Sequence, residues 1–391
     1  MKTQANARRV VEYAVLLSFS IMAIYIRYLG RNLLSSDFSN CLTSWYQELV
    51  LAGPGIDSLL FYTGDYSMPY VFIIWLLSKL PVSYLYSIKA VSICFDFGLA
   101  VMAGKIAAHL NPNNNYSFCW GYCITLMIPN VFLNSSYWGQ CDAIYTFFLL
   151  AAFLCCLQKR YPLVMILFGV ALSFKLQSIF LLPFLLIVYW FRKEFSVLQF
   201  LLVPAVMFVM NIPAMIAGYP PSIMVTKYIH QTNGYPWLYY FYPNLYFFFQ
   251  GRPYYLFSMG AIMLAVTVLL VFVVLMVKKE IILDRDNMLP ILLWTAYTCV
   301  FFLPSMHERY GYFAEIMAVI YGFINIRKLW VAAGMILCTF PKYLYALDLT
   351  GNPYAMQTAT AIGNTCVYIA FTCVIWHQLF EGERSTIHGK D

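Results

Sequence analysis

Apolar runs of roughly the length that crosses a bilayer, about 20 residues, recur along the whole chain. They fall at 10–29, 81–104, 116–133, 139–157, 161–174, 178–191, 195–217, 255–277, 287–303, 310–325, 329–347 and 357–380. The pattern predicts an all-α integral membrane protein of about 12 transmembrane helices, in a single polytopic membrane domain over 1–391. The pair 161–174 and 178–191 is short, and reads either as two spans or as one broken, re-entrant element. The first run is too long for a signal-peptide core and no small-residue cleavage site follows it, so it reads as an uncleaved anchor. No inverted internal repeat of the kind many secondary transporters carry is visible.

The polar punctuation between the runs is sorted by charge. Lys2, Arg8 and Arg9 precede the first run, and Lys105, Lys159–Arg160, Arg192–Lys193, Lys278–Lys279–Arg285 and Arg327–Lys328 fall in alternate connections, with Arg384 and Lys390 in the tail. Basic residues mark cytoplasmic loops, so both termini are expected in the cytoplasm and the span count is expected to be even. The inner connections are short, and no cytoplasmic domain is expected. The outer connections hold the polar chemistry. Residues 30–80 carry Asp37, Glu48, Asp57 and Asp65, and 218–254 is an aromatic loop (GYPWLYYFYPNLYFFFQGRPYY). Shorter outer segments are SSYWGQCD at 135–142, PSMHERY at 304–310 and the stretch around Asp348.

Composition narrows the classes further. Of 391 residues, 62% are hydrophobic and 10% charged, whereas soluble domains carry about 25% charged residues. Too little polar surface remains to coat a water-soluble globule. The net charge of +7 is spent on loop clusters and does not signal nucleic-acid binding. Aromatic residues reach 19%, which fits interfacial segments as well as spans. The eleven cysteines lie mostly in apolar runs and include no CxxC pair, so no metal site is expected. Cys41 and Cys141 alone fall in outer loops, where a disulfide is conceivable but free thiols are the expectation. No GxxxxGK[ST] or strand-associated GxGxxG loop occurs, and no cytoplasmic acidic pair is present to hold a metal–nucleotide. No cofactor is implied, and any substrate is expected at the outer membrane face.

Four groups can carry chemistry there. Asp37, in LLSSDFSNCLTSWYQEL, precedes a stretch whose Trp45, Tyr46 and Leu49 have the spacing of a helix lying on the membrane. A carboxylate held at that interface suits a general base; equally, Ser35, Ser36 and Asp37 are all helix-capping residues. His307, Glu308, Arg309 and Tyr310 stand together before the tenth run. Arg309 and His307 there can hold a phosphate, or Arg309 can simply snorkel and pair with Glu308. Trp138, Gln140 and Asp142 can stack on and hydrogen-bond a sugar, or form a capping turn. Lys175, with Gln177 close by, stands at the break between the two short runs and is a second phosphate candidate. Lys89, Asp96, Glu315 and Lys342 lie inside runs, where each costs about 2.5–3.5 kcal/mol unpaired, so structural ion pairing is expected; Lys89 and Asp96 share one helix face.

In order along the chain, SSDFSNCLTSWY, SSYWGQCDAIYTF, SFKLQSIFLLPF and MHERYGYF together resemble bacterial relatives of the eukaryotic second GPI mannosyltransferase, within the GT-C glycosyltransferase superfamily. The resemblance covers about residues 31–325. It implies a multi-span enzyme that takes a sugar from a polyprenyl-phosphate donor at the outer face, with an acidic base in the first outer loop, here Asp37. It places Trp138, Gln140, Asp142, His307, Glu308 and Arg309 around the site. The aromatic loop 218–254 matches no motif of that family. The expectation is transfer of one hexose (mannose, glucose or galactose) to a lipid- or wall-linked surface glycan, with inversion. Asp37 acts as catalytic base; Arg309, His307 and Lys175 hold the donor phosphate; Trp138, Gln140, Asp142, Glu308 and Gln177 bind sugar or acceptor. The partners are then the lipid-linked donor, the glycan or glycolipid acceptor and membrane lipid, with no nucleic acid. Two other classes remain open: a transporter or flippase of lipid-linked sugars, and a polysaccharide polymerase or ligase.

Overall fold

A computed structural model describes residues 2–381; the basic residues Arg384 and Lys390 lie outside them. The helices are α1 (Lys2–Leu29), α2 (Ser44–Leu51), α3 (Met68–Leu77), α4 (Tyr84–Leu110), α5 (Ser117–Met127), α6 (Pro129–Phe132), α7 (Asp142–Leu157), α8 (Tyr161–Phe174) and α9 (Leu182–Arg192). They continue as α10 (Leu202–Met210), α11 (Ile212–Ala217), α12 (Ile223–Gly234), α13 (Tyr254–Lys278), α14 (Arg285–Phe302), α15 (Tyr312–Ile324), α16 (Leu329–Ala346) and α17 (Tyr354–Trp376). Among the described residues there is no β-strand, only an isolated bridge between Tyr239 and Met306.

Among the described residues, five helical stretches are long and apolar enough to cross a membrane: Arg9–Leu29, Tyr84–Leu110, Tyr254–Lys278, Ile326–Ala346 and Tyr354–Glu381. The chain is thus compatible with an all-α membrane protein. Several predicted spans are shorter or broken. The run 116–133 ends its helix at Met127, because Pro129 drives Ile128 to an extended ψ of 123°. At 1.5 Å per residue the 11 residues of α5 reach about 17 Å, well short of the hydrocarbon thickness. The run 195–217 splits at Asn211, just ahead of Pro213, into α10 and α11. The run 178–191 divides into a 3-10 turn over Leu176–Leu181 followed by α9. Conversely, MPYVFIIWLL inside the predicted outer loop folds as α3, with Tyr70, Val71 and Ile74 buried.

Packing follows apolar patterning. α4 lies against α5 and α7, α7 against α8, α8 against α10, and α15 and α17 flank α16. α14 is apolar all round and is buried from Asn287 to Phe301, as a central helix must be. α1 and α13 instead expose Leu17, Ile21, Leu256, Met263 and Val274. Apolar faces of that extent are suited to lipid.

The charges within the runs find different partners from those expected. Asp96 pairs with Arg27 of α1, not with Lys89. Lys89 donates to the carbonyls of Gly30, Arg31 and Leu33 at 3.0, 3.3 and 2.7 Å. It thereby ties down the chain just beyond α1, and its positive charge suits that end of the helix dipole. Glu315 accepts from Asn130 Nδ2 and Thr339 Oγ1, each at 2.7 Å, and Lys342 donates to Asn352 Oδ1 at 3.3 Å. Ion pairing therefore holds only for Asp96. The other three are satisfied by neutral groups, which were invisible in the linear spacing of charges.

Candidate active site

Asp37 sits in the first turn of a helical segment that starts just beyond α1. The capping expected of this cluster is done by its neighbours. Ser35 Oγ accepts from Phe38 N at 3.2 Å, and Asp348, from the α16–α17 connection, accepts from Ser36 N at 2.7 Å and from the Ser36 hydroxyl. The Asp37 side chain makes no cap bond. The segment runs on through a π-turn, Phe38–Thr43, into α2. Phe38, Leu42, Trp45 and Leu49 bury one stripe, so this helix packs into the protein rather than only onto a membrane surface. Asp37 is left half-buried at the edge of a cavity.

The turn SSYWGQCD delivers two donors to that carboxylate. Trp138 Nε1 and Gln140 Nε2 both donate to Asp37 Oδ2, at 2.8 and 2.7 Å. Between them Gly139 has φ +81°, and a Cβ there would lie 2.5 Å from the Phe38 ring, so both the backbone hand and the close approach require glycine. Trp138 is no open stacking face. Its ring is buried, set edge-on to Tyr343 with centroids 5.7 Å apart, and the Arg309 guanidinium lies 5.1 Å from its centroid. Gln140 Oε1 accepts from Tyr66 OH at 2.5 Å. Burial holds the Tyr66 phenol well above its ordinary value, so it stays a donor.

Asp142 also departs from its expected role. It is 0% exposed and lies behind the cavity wall. There it forms a close ion pair with Lys175, stands 3.5 Å from Arg309 Nε, and accepts from Asn134 Nδ2 at 2.8 Å. Its place as the first residue of α7 suits a carboxylate. Asp142 is thus spent on the two cations and does not line the cavity.

Lys175 takes an extended conformation (φ −155°, ψ 134°) between α8 and the 3-10 turn, which turns it and Gln177 into the cavity lining. Gln177 Oε1 is buried with no hydrogen-bond partner. The HERY segment lies across the cavity and is laced to the aromatic loop: Ser305 N donates to Leu238 O at 3.0 Å and Tyr242 N to Met306 O at 3.1 Å. Arg309, 7% exposed, donates from Nη1 to Glu308 Oε1 at 3.0 Å and from Nη2 to Tyr66 OH at 3.5 Å. The Arg309–Glu308 pair is real, but it is buried in the cavity wall instead of snorkelling. His307 is ringed by Tyr235, Tyr240 and Tyr310, with centroids at 4.7, 4.3 and 4.8 Å, and its Nε2 has no partner. Burial, then the nearby Arg309 and Lys175, hold the imidazole well below its ordinary value. It is a neutral hydrogen-bonding ring, not the imidazolium that phosphate binding invites. Burial raises the Glu308 carboxyl, against the opposing pull of Arg309.

Together these side chains enclose a cavity of ≈ 320 Å³. Asp37, Trp138, Gln140, Lys175, Gln177, His307, Glu308 and Arg309 all line it, and Asp142 stands behind. The linear motifs did not reveal Tyr66, Tyr235 and Tyr240, which line it as well; the aromatic density of 218–254 was the only signal for the last two, and Asp348, from a noted outer stretch, joins them. Cys41 and Cys141 are free, as are the other nine cysteines. Burial pushes both thiols up to about 11. Among the described residues no group of three or more His, Cys, Asp or Glu side chains is arranged to hold a metal ion. No protein-family model matches the chain, and no curated protein matches it.

The arrangement has a definite chemical capacity. One carboxylate oxygen of Asp37 carries both N–H donors, and Oδ1 has only the Cys41 thiol at 3.9 Å. That oxygen is available to take a proton. Two cations and several unfilled hydrogen-bonding atoms share the same enclosure.

Proposed function

We propose that the protein is a membrane glycosyltransferase of the GT-C type, moving one hexose from a polyprenyl-phosphate donor to a surface glycan or glycolipid. In this reading the chain crosses the membrane about twelve times, with both termini cytoplasmic and the cavity on the outer face. The observation that carries it is the Asp37 carboxylate, oriented through one oxygen and sharing a cavity with Arg309 and Lys175. Asp37 takes the proton of an acceptor hydroxyl as its oxygen bonds the anomeric carbon. The carbon–oxygen bond to the lipid phosphate breaks, and the phosphate leaves as a dianion beside Arg309 and Lys175. Such an in-line displacement inverts the anomeric carbon. Glu308 occupies Arg309 until donor arrives, and its raised carboxyl takes up a proton at less cost than an exposed glutamate, releasing the guanidinium. The unfilled His307 Nε2 and Gln177 Oε1 are suited to sugar hydroxyls.

The test is transfer from a synthetic short-chain polyprenyl-phosphate hexose to an extracted glycolipid acceptor in detergent. Wild-type protein should consume the donor and release polyprenyl phosphate. Donor movement across a vesicle membrane without consumption would make the protein a flippase instead. Transfer of preformed chains, with single-sugar donors left untouched, would make it a polymerase or ligase.

A further inference from the structure

The turn that carries Trp138 and Gln140 is not held by helix hydrogen bonding alone. It follows the Pro129 break and passes through a π-turn over Leu133–Trp138. Inside it, Ser135 O accepts from Gly139 N at 3.0 Å and Asn134 O from Gln140 N at 2.9 Å. Ser135 Oγ in turn donates to Asp96 Oδ2 at 2.5 Å, and the same oxygen accepts from Arg27 Nε at 2.8 Å. Arg27 Nη1 reaches the carbonyls of Ala23 and Leu126, each at 3.2 Å. The pair is 1% and 0% exposed, with Arg27 Nη2 and Asp96 Oδ1 left without partners.

A buried, incompletely satisfied ion pair adds little stability over apolar side chains of the same size. What it supplies is a fixed point. Arg27 lies on a helix that runs almost wholly at the surface of the protein, so it is one of the few inward ties α1 has. From that point the connections run through Ser135 to Gly139, between the Trp138 and Gln140 that meet the Asp37 carboxylate, with Gln140 N held by the neighbouring Asn134 O. We propose that Arg27, Asp96 and Ser135 form a positioning device that sets Trp138 and Gln140 on Asp37, a role that rests on the reading of Asp37 as the base. None of the three lines the cavity, so they act through the turn and are positioning residues.

The test uses full-length protein in detergent, with donor turnover, donor KM and thermal midpoint measured for four variants. These are Ser135→Ala, the paired Arg27→Met/Asp96→Leu, Asp37→Asn, and Ser135→Ala in the Asp37→Asn background. Ser135→Ala should lower kcat by about 10-fold or more, since small misplacements near reacting groups are costly, with donor KM within about threefold of wild type. The paired variant removes both buried charges, so it should keep its thermal midpoint and lose kcat similarly. In the Asp37→Asn background the Ser135 substitution should cost little more, because its effect runs through the missing base. Wild-type kcat in Ser135→Ala alongside a crippled Asp37→Asn overturns the positioning role and leaves the base assignment standing. A loss that multiplies in full in the Asp37→Asn background also overturns it. Near-normal turnover in Asp37→Asn itself overturns both. If the paired variant fails to fold, Ser135→Ala alone decides.

Discussion

Asp37, Arg309 and His307 differ in what each has to lose. Asp37→Asn keeps the shape of the side chain and removes its basicity. Turnover should fall by about 10²-fold or more, the cost of losing a positioned base, while binding of a non-transferable donor analogue survives. Near-normal turnover would leave Asp37 as a scaffold residue. Arg309 is the strongest partner for a departing phosphate, and Arg309→Ala should lower turnover by about 10²- to 10³-fold. Arg309→Lys should recover only part, because a point charge cannot reproduce the planar two-donor contact. If Arg309→Ala transfers sugar as well as wild type, Lys175 becomes the phosphate ligand to test. For His307 the sign of the pH dependence is decisive. Burial and two neighbouring cations keep the ring neutral, so no imidazolium is present to be lost as pH rises. His307→Ala should therefore reduce turnover by the same factor across about pH 6 to 8. A loss confined to the acid side of that range would show that the charged ring acts.

At the scale of elements, the site is made by interruptions of helices. The π-turn that follows the Pro129 break and the extended backbone at Lys175 bring Trp138 and Lys175 to the cavity, and the turn at Ser305 (φ +60°) leads into His307, Glu308 and Arg309, which line it as well. Gly139 is the tightest of these points. Gly139→Ala should cost roughly 1–2 kcal/mol for the left-handed backbone alone, with a further penalty from the Phe38 ring. The thermal midpoint should fall, and activity should fall with it as Trp138 and Gln140 leave Asp37; an unchanged midpoint and rate would mean the turn relaxes freely. Prolines marked several of these breaks in the sequence. The π-turns at Phe38–Thr43 and Leu133–Trp138 carried no such mark, because they form to satisfy partners elsewhere in the chain.

Over the whole molecule, charge and site segregate to opposite helix ends. α7 begins at Asp142 behind the cavity wall and ends at Leu157, just before Lys159; α8 begins after Arg160 and ends at Phe174, just before Lys175; α15 and α16 repeat the alternation around Arg327–Lys328. In the proposed topology, which follows the positive-inside rule, the cavity faces outside. Cysteines introduced at Asp57 and Lys193, both exposed, test this with wild type as background for the native thiols. An impermeant maleimide should label position 57 in intact cells and position 193 only after permeabilisation, and the reverse pattern would invert the topology.

Hydropathy by itself determined that the chain is helical and lipid-suited, since a shortage of polar surface is a property of composition and needs no geometry. The sequence also nominated charged and polar residues of the cavity lining, because Asp37, Gln140, Lys175 and Arg309 are polar groups stranded between apolar runs, where only a partner or a ligand justifies them. What each does was decided by tertiary structure. Asp142 reads locally as a sugar ligand, yet it faces two cations brought from α8 and from the loop before α15. Trp138 reads as a stacking platform, yet it spends its indole N–H on a carboxylate 101 residues away. Asp96 reads as a partner for Lys89 on its own helix, yet it pairs with Arg27, 69 residues earlier. Hydrogen bonds and ion pairs act over a few ångströms, and which groups come within that distance is fixed by the packing of helices far apart in the chain.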